Sequence, residues 1–211
     1  NENLGLVSKL SNLSLQLYSW YINHGHCRNK AEEEEIKDFF NKKFDIEAAT
    51  CKGFYEKLFL YQSYCWYAFI RQDFLMYYRY TQKWVDLFDA EPQMLAIETA
   101  HYIKGMHNLM GAHFNLTNHQ KLKETLTKFE KFCDSDIVVN SANNRLQCFV
   151  YHTISFFNKH FLEGSFTEGL ESVPEIEKQI KEYEIYLDRH RILVFYYKIA
   201  CLYFGSGNYE K

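Results

Sequence analysis

Residues 196–211 read YYKIACLYFGSGNYEK. Tyr196, Ile199, Ala200 and Tyr203 return every three or four positions, as on one face of a helix. Gly205-Ser206-Gly207 breaks the run, and glycine lets a backbone turn tightly with positive φ. Counted from Gly207, large side chains stand eleven, eight and four residues before and two after (Tyr209), with the small Ala200 seven before. A small residue lets two helices approach closely, while its large neighbours fill the space towards the next pair. The stretch predicts a helix, a tight turn and the start of a second helix.

The same frame recurs upstream. Gly164, 43 residues earlier, has Phe156 eight before, His160 four before, Phe166 two after and Gly169 five after; Phe157 stands where a small residue is expected. Asn118, 46 earlier, keeps Met110, Gly111 and Phe114 but departs at Gln120 and Lys123. Gln72, 46 earlier again, keeps Tyr61, Tyr64, Cys65 and Phe74 and departs at Ala68 and Tyr77. One more step of 46 reaches His26. Repeat turns are therefore expected near 26, 72, 118, 164 and 207.

This pattern resembles the tetratricopeptide repeat, whose usual period is 34 residues; a period of 43–46 makes each helix pair two to three turns longer. The resemblance is closest in 196–211, holds from Tyr61 onward and is weak before it. It implies an all-α chain, an α-solenoid of antiparallel helix pairs wound as a right-handed superhelix, spanning 1–211 as one array. A HEAT-like solenoid has a similar period and is the structural alternative.

Periodicity and breakers place helices over 3–23, 30–43, 46–71, 73–88, 92–116, 138–162 and 189–204, with a further partner helix carrying Leu122, Leu126, Phe129 and Phe132. Asp45 is the expected N-cap of the third, with Gly53 inside it, as close packing or a break; Pro92 opens the fifth. Ser172-Val173-Pro174-Glu175 reads as a capping box starting a helix to about 187, and Asp188 caps the last complete helix.

Two prolines and nine glycines in 211 residues leave long uninterrupted segments, and 17 Tyr and 18 Phe supply bulk for stacked helices. Net charge is −3 and the pI about 6.3, without the basic stripe of a nucleic-acid binder. No apolar run is long enough to span a membrane. The six cysteines are scattered without a Cys-x-x-Cys pair, which points to a reducing, cytoplasmic setting. The chain opens on Asn and stops inside a half-repeat, so a longer natural protein is expected.

Neither a nucleophile elbow, a phosphate loop nor a His-Glu-x-x-His motif is present, so no enzyme and no cofactor is expected. His24-x-His26-Cys27 lacks a second ligand cluster and reads as a polar loop rather than a metal site. His101, His107, His113 and His119, six apart, precess around a helix. The family resemblance implies a concave groove lined thirteen, ten, six and three residues before each anchor. Among those positions, Gln62, Trp66, Phe69, Asn108, Asn115, Asn158, Phe161 and Tyr197 combine amides, which donate to and accept from a peptide backbone, with aromatic surface. Lys198 alone lies near a position where some members hold a ligand carboxylate, so no such clamp is expected. The function expected is a non-catalytic scaffold binding a protein or peptide; the alternative is the ligand-sensing segment of a transcriptional or signalling regulator. Self-association through repeat ends is a further expectation.

Overall fold

In the computed structural model of the chain, which describes residues 3–44 and 50–209, four turns share one hydrogen bond. Asp73 N–H donates to Ala68 O at 2.9 Å, Asn118 to His113 O at 2.8 Å, Ser165 to His160 O at 3.1 Å and Asn208 to Tyr203 O at 3.0 Å. The residue before each donor has positive φ: Gln72 57°, Thr117 52°, Gly164 69° and Gly207 80°. This is the left-handed helix stop in which an N–H closes on the carbonyl five residues back. Its steps are 45, 47 and 43 residues, from 72 to 117, 164 and 207. Gly25, at φ 76° and ψ −148°, ends the first helix differently, bonding Tyr21 O at 2.7 Å. Two anchors thus sit one residue before their expected places, at Gly25 and Thr117 rather than His26 and Asn118.

Among the described residues the protein is 84% helical and has no strand, and it divides into two units, Asn1–Leu95 and Ala96–Lys211. Neighbouring helices pack in pairs, an arrangement compatible with a helical repeat.

The first unit holds α1 (Leu4–His24), α2 (Lys30–Lys43), α3 (Phe54–Ile70) and α4 (Phe74–Ala90). Asn3, Asn29 and Asp73 cap three of them by accepting the N–H three residues on. α3 packs against both α1 and α4. Leu13 and Leu17 of α1, Ile36 and Phe40 of α2, and Tyr67 and Ile70 of α3 form one buried cluster, with Phe40 stacked on Tyr67 at 4.1 Å. Trp84 is buried, and Trp20 stacks on His24 at 4.6 Å. α3 begins at Phe54 with Gly53 as N-cap, eight residues later than the sequence predicts. The buried Glu56 fixes that start, accepting from the N–H groups of Lys52 (2.7 Å), Gly53 (3.1 Å) and Asn3 (2.7 Å). The bond from Asn3 leads these three in holding its carboxyl below the usual range. Asp45 and Ile46 lie outside the described residues. In the loop after α1, His26 Nδ1 is 2.8 Å from Phe69 O, and Cys27 N–H donates to Ile70 O at 2.9 Å.

The division falls within α5 (Met94–Ile97). The second unit continues with α6 (Thr99–Asn115), α7 (His119–Cys133), α8 (Asp136–Val139), α9 (Ala142–Glu163), α10 (Phe166–Glu171), α11 (Val173–Tyr183) and α12 (Arg189–Gly205). α9 packs on α6, α7 and α12. The predicted helix 92–116 is broken at Glu98, and 138–162 is broken where Ser141 caps α9 by accepting from Asn144 N–H at 3.3 Å. Ser172 makes no side-chain cap: its backbone is already helical (φ −88°, ψ −11°), continuing from α10. α11 ends at Tyr183, and a single 3₁₀ turn, Glu184–Tyr186, leads to the buried Leu187. Phe157, Val173, Ile176, Phe195, Ile199 and Leu202 belong to one core cluster here. Gly169 allows a close approach, since a Cβ there would lie 3.0 Å from Leu202 Cδ2. In the stretch 196–211, Ile199 is buried, while Ala200 and Tyr209 are exposed.

Candidate ligand-binding face

α6, α9 and α12 each lead into one of the repeated turns, and α9 lies against both others. Lys198 of α12 reaches onto α9. Its ammonium donates to Asn158 Oδ1 at 2.6 Å, 5.2 Å from the Phe161 ring centre and 5.9 Å from that of Phe114 on α6. Asn158 is itself buried. Burial lowers the pKa of Lys198, because charge is harder to hold away from water. Rings and an amide oxygen favour the cation, yet no ion pair of Lys198 occurs among the described residues.

Beside it, His107 of α6 stacks on Tyr151 of α9 at 4.1 Å, and Lys104 Nζ lies 5.1 Å from that ring's centre. Burial, then the charges of Lys104, Arg191 and Lys198, hold the His107 imidazole well below its usual pKa. His107 Nδ1 is buried without a hydrogen-bond partner among the described residues. Arg191 is paired with Asp188 at 3.4 Å. The cluster thus joins three cations, an uncharged imidazole, a buried amide and three rings.

Of the residues singled out from sequence, Asn158 and Phe161 lie in this cluster. Tyr197 is 67% exposed on α12. Asn108 is half-buried, Asn115 is the exposed last residue of α6, and no hydrogen bond among the described residues joins either to Lys198. In the first unit Gln62 is buried. Trp66 packs on Tyr18 and Tyr21 of α1, at 5.1 and 5.6 Å, and Phe69 on Tyr21 and His26, at 5.4 and 4.6 Å. Their faces are turned to the chain's own α1.

Lys104, His107 and Phe114 escape the sequence reading through one residue of register. Counted from Thr117, they stand thirteen, ten and three before the anchor; counted from Asn118, those offsets give Gly105, Asn108 and Asn115. Asparagine is the commoner left-handed residue, which favours 118. Here its side chain caps α7, accepting from Lys121 N–H at 3.2 Å, and Thr117 takes the left-handed position. Gly105 and Ala112, expected on the groove, are buried.

On the seam between α7 and α9, a pocket of about 410 Å³ is lined by Glu130, Cys133, Cys148 and His152 among others. No group of three or more His, Cys, Asp or Glu placed to hold a metal occurs among the described residues, and no described helix is long and apolar enough to cross a membrane. In comparisons with known proteins, no family model, no curated protein and no solved structure matches the chain.

Proposed function

We propose that the chain is a non-catalytic, protein-binding helical repeat whose second unit takes an extended peptide segment on the face formed by α6, α9 and α12. One observation carries this reading: Lys198 is partly buried against Asn158, Phe161 and Phe114, with no ion pair to it among the described residues. A desolvated cation gains most from a counter-charge, and Lys104 adds a second positive charge on the same face. The favoured ligand therefore carries an acidic side chain or terminal carboxylate, with its apolar groups against Phe161, Phe114 and Tyr151. The helix pairs serve as the rigid frame, and the tetratricopeptide-like solenoid is part of this proposal.

Fluorescence anisotropy with labelled acidic, neutral and amidated peptides tests it. Acidic peptides should bind tightest, and added salt should weaken them. Lys198→Met and Asn158→Ala should each reduce affinity about tenfold or more, the scale of a hydrogen bond to a charged group. Equal affinity in wild type and both variants overturns the assignment of this face.

A further inference from the structure

The seam between α7 and α9 carries a pair of thiols that peptide binding does not use. Two contacts set the register of these antiparallel helices: His119 Nε2 meets Glu163 Oε1 at 2.7 Å at one end, and Glu130 Oε1 meets His152 Nε2 at 3.0 Å further along. Moving one more turn towards the α7–α9 connection brings Cys133, the last residue of α7, opposite Cys148 of α9. The Cys148 side chain is the largest influence on the Cys133 thiol, which makes the two side chains direct neighbours across the seam. Both are free thiols; Cys148 is buried and Cys133 half-buried. Both line the same open pocket of about 410 Å³, which admits a small solute.

We propose that Cys133 and Cys148 are an oxidation site, closing to an intramolecular disulfide that staples α7 to α9 when a low-molecular-weight disulfide enters the pocket. In the first step one cysteine thiolate attacks glutathione disulfide, giving a mixed disulfide and one glutathione. In the second the other cysteine displaces the remaining glutathione. One sulfur–sulfur bond is broken and one formed; the two protons and two electrons leave with two molecules of glutathione. The partner thiol lining the same pocket makes the second step intramolecular and favours the disulfide over a lasting adduct. The bond with Cys148, then burial, then the charges of Asp134 and Glu130 push the Cys133 thiol up, so Cys133 rests as the neutral thiol.

The test treats the full chain with glutathione disulfide, alkylates the remaining thiols and maps peptides by mass spectrometry, with dithiothreitol as the reversing agent. The expected product is a 133–148 linkage, reversed by dithiothreitol, with Cys51 and Cys65 alkylated only after unfolding because both are buried. Closing a loop of this length should also shift the unfolding equilibrium towards the folded state, by about a hundredfold at most. Cys133→Ser should abolish the linkage and leave at most a glutathione adduct on Cys148. A wild-type map with no 133–148 linkage, or with stable adducts on both cysteines, overturns the proposal without reliance on any variant.

Discussion

Thr117 holds φ 52° where the equivalent turns at 164 and 207 use glycine. A β-branched residue pays heavily in that region, by roughly 1–2 kcal/mol for the left-handed conformation, and its exposed side chain gains little in exchange. Thr117→Gly should therefore raise stability by about 0.5–1 kcal/mol after the added entropy of the unfolded chain is counted, seen as a higher urea midpoint at unchanged slope. Gly205 shows the opposite case: a Cβ there would lie 2.5 Å from the Phe166 ring. Gly205→Ala should destabilise by roughly 1–3 kcal/mol, the usual scale of overpacking, despite alanine's helix preference. The turn spacing is legible in the sequence because glycine marks 164 and 207. It blurs at 117, where Thr and Asn compete for one backbone position, and that single residue moves Lys104, His107 and Phe114 off the expected face.

Helices whose ends carry their own signal are legible to within a residue or two. α2 begins after Asn29, α4 after Asp73 and α12 after Asp188, each side chain accepting the N–H three positions on. The break at Glu98 has no glycine or proline to announce it, and the break before α9 rests on Ser141 alone. Ser172 looks like a cap but lies on helical backbone, because the preceding short helix sets its dihedral angles. Packing of α9 on α6, α7 and α12, and on the short α8 and α10, predicts that its core residue matters most: Phe157 is 0% exposed, and Phe157→Ala should cost about 3–5 kcal/mol in chemical denaturation. Lys198 lies nine residues before its anchor, outside the groove offsets. Only side-chain length and the neighbouring α9 bring it to Asn158, which no one-dimensional pattern contains.

Across the molecule, Ala96–Lys211 collects histidines that fold uncharged. Burial lowers the pKa of His101, His107, His113 and His160, and pushes His113 down to about 4 from 6.5. Below pH 6.5 the unfolded chain takes up protons that the folded chain refuses. Stability from these groups is complete above about pH 6.5 and is lost as pH falls towards 4. For His113, which is 2% exposed, the shift corresponds to about 3 kcal/mol at the acid end. Urea midpoints measured from pH 7.5 down to 4.5 should fall steadily, and His113→Leu should flatten part of that slope. A midpoint independent of pH across the window would mean that these rings are solvated.

The aromatic residues have a spectroscopic consequence. All three tryptophans, Trp20, Trp66 and Trp84, lie in Asn1–Leu95, and Trp66 is half-covered by the α1 tyrosines. Far-ultraviolet circular dichroism sums over every helix, whereas tryptophan emission is a local probe of the first unit. Followed together through a denaturant titration, the two signals coincide for one cooperative transition and part for two. Emission thus gives the melting of the first unit its own readout, without a label.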